Sequence, residues 1–246
     1  MVPQLYLDKV RGILNHLEQT QMPALEQAAG LIVEALDHKG MVYCAELGHG
    51  LQGDFINRAG GAAVIQPFKY TVSVTSPVPR CHENRPRPDT WEQDLETVRF
   101  AVQSSNLRPG DVMLVSSVSG RNRGPVELAL ACRAKGVRVI GFTAMAYTRT
   151  VAALHPSGKR LCEAVDVVID IGAPVGDAAV DVPGYDIKLM PVSGVAMDVA
   201  GWMLLGRVME IMAGRGQPLS VFSSLNRAGG EERYKRSKEQ YETRGF

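Results

Sequence analysis

The sequence has few cysteines, few aromatic residues and almost no net charge. Its 246 residues include 4 cysteines and 6% aromatic residues, and 27 basic against 26 acidic side chains leave a formal charge of +1. The cysteines form no C-x-x-C pair, which argues against a zinc ribbon or a dense disulfide framework and predicts a reduced, cytoplasmic setting. A chain with so little excess positive charge neutralises few phosphates, so we expect no nucleic-acid partner.

Long apolar runs are also missing. No window reaches the ~18 apolar residues that a membrane helix needs, and residues 1–10 lack the basic and then apolar pattern of a secretory signal. We therefore expect no membrane partner. The length corresponds to one large domain with appendages.

Helical periodicity dominates the beginning and the end of the chain. Apolar residues recur at helical spacing over residues 5–36, which predicts two helices or one long bent helix before the first strand. Residues 195–212 predict a last long apolar helix, and the charges of residues 230–246 alternate in sign, as in a solvated helix or tail. We divide the chain into packing helices (1–40), a binding domain (41–228) and a charged tail (229–246), best treated as one domain.

Short apolar runs between helical stretches predict the strands. These runs cover residues 41–45, 62–65, 112–115, 137–142 and 167–169. Unbroken apolar strands that alternate with helices are typical of a parallel sheet covered on both faces. Residues 76–89 carry four prolines and predict a long irregular loop, which serves as a lid, a subunit contact or plain surface.

Chemistry is expected at the carboxyl ends of the strands, where loop amides and helix N-termini converge. After the run 112–115 comes Ser116-Ser117-Val118-Ser119-Gly120-Arg121-Asn122, followed by a helix expected to begin at Pro125. Hydroxyls, a glycine, a guanidinium and a helix N-terminus in one turn favour an anion, with phosphate as the natural choice. The alternative is that serine and asparagine merely cap the helix while glycine turns the chain.

A second glycine-rich loop follows the first predicted strand. Residues 48–53 contain the letters G-x-G-x-x-G, but the run after the second strand holds no acid to bind a ribose, so a dinucleotide ranks below phosphate. His49 is an acid–base candidate there or an ordinary surface residue. Asp170, Asp177 and Asp181 have no partner at a metal-binding spacing, and we expect no metal and no cofactor.

The pattern resembles the SIS (sugar isomerase) domain family, in particular its phosphoheptose-isomerase-like subgroup. The resemblance is carried by the turn S-x-S-G-x-N at residues 117–122 and by the segments Arg58-Ala59-Gly60-Gly61, His155-Pro156-Ser157-Gly158-Lys159 and Gly176-Asp177-Ala178. It implies an α/β fold, a doubly wound five-stranded parallel sheet between two layers of helices. It also implies a homodimer or homotetramer and a phosphorylated sugar as ligand.

Transferred by position, the resemblance places the phosphosugar ligands in the turn, at the end of one further strand and at the beginning of the last helix. These ligands are Ser117, Ser119, Gly120, Arg121, Asn122, Thr143 and Ser193. Isomerases of this kind need a base, commonly a glutamate assisted by a histidine. The first loop departs from the subgroup's usual letters and leaves Glu46, His49 and Asp54 as the proton-transfer candidates, while the last helix offers no histidine.

The sequence therefore predicts a phosphosugar-binding protein that acts as an aldose–ketose isomerase. Two alternatives remain at this point. The altered first loop favours a non-catalytic phosphosugar sensor or regulatory subunit, and the same fold also supports a lyase or deaminase for amino-sugar phosphates.

Overall fold

The fold is described from a computed structural model that covers residues 1–45, 51–86 and 91–246. Within these residues, no helix combines the length and the apolarity needed to cross a membrane.

Two separate helices precede the first strand. Helix α1 (Val2–Thr20) and helix α2 (Met22–Asp37) are joined at Gln21, and each has a proline in its first turn, where the missing amide donor costs no helical hydrogen bond. The buried face of α2 packs against the last long apolar helix. Of the two arrangements that the periodicity allowed, the structure has two helices.

Five parallel strands form the central sheet, in the order β2-β1-β3-β4-β5. The strands are β1 (Val42–Ala45), β2 (Ile65–Phe68), β3 (Val112–Ser116), β4 (Arg138–Thr143) and β5 (Val167–Asp170). The predicted doubly wound five-stranded parallel sheet is confirmed. Its strand order reverses between β1 and β3, the point at which open α/β sheets bind their ligands.

The second strand was predicted at the wrong residues. The apolar run 62–65 ends where β2 begins, and Ala62 instead pairs with Val221 in an isolated antiparallel bridge. Ala62, Ala63 and Val64 are all buried, so their apolar character reflects packing of a connecting segment and not strand formation.

Helices cover both faces of the sheet. They are α3 (Leu51–Phe55), α4 (Trp91–Ser104), α5 (Arg123–Ala134), α6 (Met145–Thr148), α7 (Leu161–Ala164), α8 (Ser193–Gly214) and α9 (Gly230–Arg244). One apolar core joins α1, α2 and α8 to the sheet, and the other joins α4 and α5 to the opposite face. Helix α5 begins two residues before the predicted Pro125.

The remaining segments form a small second sheet, the proline-rich connection and the C-terminal helix. A two-stranded antiparallel sheet of β6 (Ala178–Val180) and β7 (Leu189–Pro191) precedes α8, and sequence analysis did not predict it. Residues 76–86 of the proline-rich segment contain one short 3-10 turn, at Arg80–His82, and residues 87–89 lie outside the described part. The charged tail is a helix that packs Tyr241 against the core.

Candidate functional site

The turn at residues 117–122 links the end of β3 to the beginning of α5. Its backbone is tied to the neighbouring strand, since the Ser117 amide donates to the Phe142 carbonyl at 3.0 Å and the Ala144 amide donates to the Val118 carbonyl at 2.9 Å. The Gly120 amide closes the turn on the Ser117 carbonyl at 3.1 Å. The turn is therefore held in place by its own chain before any ligand binds.

Several donors of this turn are left without a partner. Within residues 1–45, 51–86 and 91–246, no acceptor receives the backbone amides of Val118, Ser119, Arg121 or Asn122. The side chains of Ser117, Ser119 and Asn122 likewise make no hydrogen bond to a described residue. The Nε atom of Arg121 is buried and also lacks an acceptor there. Successive unpaired amides in a turn are the arrangement from which anion-binding nests are built.

The helix that follows adds its own positive end. Asn122 occupies the N-cap position of α5, but its side chain makes no capping hydrogen bond. The interpretation that asparagine merely caps this helix is therefore wrong. The first amides of α5 have no intrahelical acceptor, and the helix dipole favours negative charge beside them.

Gly120 and Thr143 shape the turn from beneath. Gly120 has a φ of +65°, and a Cβ there would lie 3.0 Å from the hydroxyls of Thr143 and Thr148. The fully buried Thr143 hydroxyl donates to the Val118 carbonyl at 3.2 Å and contacts the Thr148 hydroxyl at 3.0 Å. Thr143, expected to be a ligand, is thus placed as a support of the turn.

Ser193 is engaged in a similar way at the beginning of α8. Its hydroxyl donates to Oδ2 of Asp177 at 2.7 Å, and Oδ1 of Asp177 accepts the amides of Val192 and Ser193 at 3.1 and 2.8 Å. Asp177 therefore holds the first turn of α8, and the buried Ser193 hydroxyl is already donated within the protein.

The 154–161 segment fixes the outer side of the turn. The Leu154 amide donates to the Arg121 carbonyl at 3.0 Å, and the Leu161 amide donates to the Gly120 carbonyl at 2.7 Å. Between these two bonds lies His155, which is buried and contacts Glu127 of α5 at 2.7 Å through Nε2. Because Nδ1 of His155 accepts the Ser157 amide at 3.1 Å, the ring proton is on Nε2 and is donated to Glu127.

Glu127 is a buried carboxylate with two partners. Arg99 of α4 donates to it from Nε at 2.6 Å and from Nη2 at 3.2 Å. Burial alone would raise the pKa of Glu127, but the hydrogen bonds from Arg99 and His155 outweigh it and hold the pKa below its usual value. The segment 155–159, one of those that carry the family resemblance, is thus anchored through its histidine.

The proton-transfer candidates are only partly visible. Glu46 and His49 lie outside the described residues. Asp54 lies on α3 and forms an ion pair with Arg58 at 3.2 Å, with 40% of its side chain exposed. Since β1 and β3 are neighbours in the sheet, α3 and the turn follow adjacent strand ends.

A further carboxylate, Asp198, was missed by sequence reasoning. It lies on α8, its Oδ1 atom is buried, and no described residue donates to that atom. Burial and the nearby charge of Asp54 raise the pKa of Asp198, against an opposing effect of Arg58. The available signal was a lone acid within the apolar first half of this helix.

Aromatic packing keeps these carboxylates together. The Phe55 ring lies 5.0 Å from the Trp202 ring, and a Cβ on Gly201 would overlap the Phe55 ring. Helix α3 therefore docks closely on α8, one residue beyond Asp54 on the first helix and about one turn beyond Asp198 on the second.

Comparisons with known proteins agree with this geometry. The SIS domain model matches residues 5–144. A UPF0309 protein of Listeria monocytogenes is 30% identical over 223 residues, covering 90% of this chain and 88% of the relative. A UPF0309 protein of Halalkalibacterium halodurans is 32% identical over 226 residues, covering 89% of each.

Among solved structures, a phosphoheptose isomerase of Neisseria gonorrhoeae has the same fold. It superposes with a TM-score of 0.54 at 14% identity and covers 85% of this chain and 95% of its own. The family model spans more than half of the chain, and the two relatives extend the similarity over nearly all of it, so this chain belongs to the SIS domain family.

Proposed function

We propose that the protein binds a phosphorylated sugar, with the phosphate held by the turn at residues 117–122. The observation that carries this proposal is the set of donors there that have no partner among the described residues: backbone amides, the hydroxyls of Ser117 and Ser119, and the buried Nε of Arg121. The Arg121 Nε donor is buried without an acceptor among the described residues, which costs stability in the free protein, and a bound anion relieves that cost.

Each group has a distinct part in holding the phosphate. The amides of Ser119, Arg121 and Asn122 donate to its oxygens, and the hydroxyls of Ser117 and Ser119 donate from the inner wall. The Arg121 guanidinium adds a charge-assisted bond, and the positive end of α5 favours the dianion. Gly120 takes no side chain to the ligand and lets the backbone approach it closely.

Thr143 and Ser193 act one step further out. Their hydroxyls are donated to protein acceptors, so they hold the turn and α8 in position instead of meeting the phosphate. This assignment narrows the set of ligands that the resemblance implied.

The reaction that fits this site is an aldose–ketose isomerisation. A base removes a proton from the carbon that bears the hydroxyl beside the carbonyl while the carbonyl oxygen gains a proton, which gives an enediol. The hydroxyl of the first carbon then loses its proton to become the new carbonyl, and the neighbouring carbon receives a proton, so nothing is released. Asp198 and Asp54 serve as the groups that move these protons, together with Glu46 and His49 of the first loop. The pKa of Asp198 is raised by burial and by the charge of Asp54, which makes this carboxylate a stronger base than an exposed aspartate.

The fold neighbour supports the choice of ligand to test first. A protein of the same fold is a phosphoheptose isomerase, so sugar phosphates are the first ligand class to examine. The proposal includes a cytoplasmic location and a homodimer or homotetramer, in which the site lies near a subunit interface.

The experiment is a thermal-shift screen with sugar phosphates, the matching free sugars and inorganic phosphate. A ligand that binds only the folded state stabilises it by about 2.7 kcal/mol at a hundred times its dissociation constant. We expect stabilisation by one phosphosugar, none by its free sugar, and loss of the effect in Ser119→Ala. Ser104→Ala, an exposed serine at the end of α4, is the matched control and keeps the full shift.

Chromatography of the stabilising sugar phosphate after incubation then tests turnover. Appearance of the isomer supports the isomerase. Binding without any product favours the sensor or regulatory subunit, and release of ammonia or of a carboxylic acid favours the deaminase or lyase. No shift with any phosphate compound would contradict the proposed phosphate site itself.

A further inference from the structure

A five-residue sequence occurs twice in this chain. Asn-Arg-Ala-Gly-Gly is found at residues 57–61 and again at residues 226–230. Both copies form the same turn: the Gly61 amide donates to the Arg58 carbonyl at 2.9 Å, and the Gly230 amide donates to the Arg227 carbonyl at 2.8 Å. The first glycine of each copy has a positive φ, +83° at Gly60 and +68° at Gly229, which favours glycine at that position.

The fold brings the two turns to the same place. The Gly60 amide donates to the Phe222 carbonyl at 2.8 Å, and the Phe222 amide donates to the Gly61 carbonyl at 3.0 Å. The Tyr234 hydroxyl of α9 donates to the Asn57 side chain at 2.7 Å. The second turn opens α9, so this helix is attached to the first turn by backbone and side-chain bonds.

A cavity of about 430 Å³ lies between these two turns and α9. Its charged lining consists of Arg227, Arg233 and Arg236, and its polar lining includes Ser223 and Ser224. No aspartate or glutamate lines it within the described part of the chain. We call this space the arginine cavity.

The arginines of this cavity differ from those that form ion pairs elsewhere in the described part of the chain. Arg58, the arginine of the first turn, is paired with Asp54 at 3.2 Å, and Arg207 is paired with Glu26 at 2.6 Å. Arg227, Arg233 and Arg236 have no carboxylate within ion-pair distance among the described residues. Glu231 of the same helix pairs with Lys235 at 2.7 Å and leaves the cavity arginines unneutralised.

The wall of the cavity is closely packed. A Cβ on Gly230 would overlap the carbonyl of Ser224, so the two backbone segments are in direct contact at this point. The Phe222 ring, which lines the cavity, stacks on the Tyr234 ring at 5.0 Å with an angle of 24°. Arg233 and Arg236 project from α9, and this helix is fixed to the first turn, so the backbone positions of both arginines are set before any ligand binds.

We propose that the arginine cavity is a second anion site, which binds a small ligand with a phosphate or diphosphate group. Three guanidiniums without counter-charge in one concavity match the charge of a diphosphate, and the planar guanidinium donates two parallel bonds to phosphate oxygens. The volume lies within the range of small-molecule sites. None of its lining residues belongs to the turn at residues 117–122, and the site does not depend on the proposed isomerase function.

The test is isothermal titration of the full chain with inorganic pyrophosphate, and separately with inorganic phosphate. We expect saturable binding that weakens with ionic strength, and an affinity that falls by at least about tenfold in the double variant Arg233→Gln/Arg236→Gln. The matched control is Lys238→Gln, which removes a positive charge from the same helix but not from the cavity, and it retains the affinity within about twofold.

A separate variant distinguishes the two anion sites. Ser119→Ala weakens phosphosugar binding at the turn and leaves the pyrophosphate binding that depends on Arg233 and Arg236 unchanged. All exchanged arginines are exposed, so circular dichroism should show an unchanged unfolding midpoint.

Three results would overturn the proposal. The first is absence of pyrophosphate binding at millimolar concentration. The second is equal affinity in the wild type and the double arginine variant. The third is an equal loss in Lys238→Gln, which would indicate general attraction to a basic helix. None of these results bears on the phosphosugar site.

Discussion

The turn at residues 117–122 and the carboxylates between α3 and α8 are built on opposite principles. The turn presents unpaired donors on a backbone that is hydrogen-bonded from both sides. The α3–α8 contact presents acceptors, Asp54 and Asp198, next to the Phe55–Trp202 packing, and burial together with the charge of Asp54 raises the pKa of Asp198. The unpaired donors of the turn favour a bound anion, and burial at the α3–α8 contact favours the protonated form of Asp198.

This difference supports the proposal that the turn binds the phosphate and that the α3–α8 carboxylates carry out the reaction. A rigid set of donors is suited to hold a phosphate that does not change during the reaction. A buried carboxylate with a raised pKa, such as Asp198, is suited to accept a proton, because it is more basic than an exposed carboxylate. The sharpest tests are therefore substitutions that affect one half and leave the other intact.

Asp198→Asn gives the largest expected effect on the reaction. Removal of a proton-transfer group lowers the isomerisation rate by about 10²–10⁴-fold, while phosphosugar affinity stays within about twofold of the wild type. Steady-state kinetics and titration of the same preparation measure both. Glu210→Gln, an exposed acid on the same helix, is the control. A fall in affinity that matches the fall in rate would remove the distinction between the two halves.

Glu127→Ala tests what holds the turn in place. It leaves the buried His155 and the Arg99 guanidinium without their shared acceptor and destabilises the fold by about 3 kcal/mol, measured by denaturant unfolding. Glu163→Gln removes an exposed acid that pairs with Arg160 and costs less than about 1 kcal/mol. Equal losses in the two variants would mean that the Glu127 contacts contribute no more than a surface pair.

The same carboxylate predicts a loss of stability in acid. The pKa of Glu127 is lowered in the folded protein, so its contribution is fully present above the ordinary pKa of about 4.3 and disappears as pH falls through the lowered value. In Glu127→Gln this part of the acid destabilisation is absent. Unfolding curves of the wild type and Glu127→Gln, recorded from about pH 5 downward, measure this difference in acid destabilisation. Identical pH profiles of the two proteins would contradict the lowered pKa of Glu127.

Arg121→Gln tests the binding half. Loss of a charge-assisted bond weakens phosphosugar binding by about 10–100-fold, corresponding to about 1.5–3 kcal/mol. The fold changes little, because this side chain has no hydrogen-bond or ion-pair partner among the described residues. Calorimetric titration and a thermal melt of the free variant provide both values. Unchanged affinity would place the phosphate elsewhere.

The smallest expected effect is the contribution of Asp198 to the stability of the folded protein. Its pKa is raised on folding, so the folded state is progressively destabilised as pH rises from the unfolded pKa through the folded one. At neutral pH, Asp198→Asn therefore stabilises the protein by an amount on the order of 0.5 kcal/mol, and the gain disappears near pH 4, close to the free pKa of about 3.9. Melting midpoints at the two pH values test this, and destabilisation at neutral pH would contradict it.

Most of the architecture could be predicted because the apolar patterns of strands and helices are local. Strands β1, β3, β4 and β5 were placed to within a residue or two, and their parallel arrangement followed from the alternation with helices. The second strand was misplaced because the buried segment at residues 62–64 is as apolar as a strand. A buried connecting segment and a buried strand therefore have the same apolar composition and cannot be told apart by it.

The site was predictable where its chemistry lies within one turn and not where it depends on distant contacts. Ser117–Asn122 is contiguous, so its composition indicated an anion. The raised pKa of Asp198 depends in part on Asp54, which lies far away in the sequence. The role of His155 likewise depends on its hydrogen bond to Glu127. The recurrence at residues 57–61 and 226–230 is too short to suggest a repeat architecture. Its two copies come together only in the folded chain, through the backbone bonds to Phe222 and the Tyr234–Asn57 bond.

The most direct test of the account is an amide-resolved NMR titration with the stabilising sugar phosphate and with its free sugar. The account predicts that the sugar phosphate shifts the amide signals of Ser119, Arg121 and Asn122 and that the free sugar leaves them unchanged. If these three signals stay in place while others move on binding, the phosphate is not held by the turn, and the central claim is wrong.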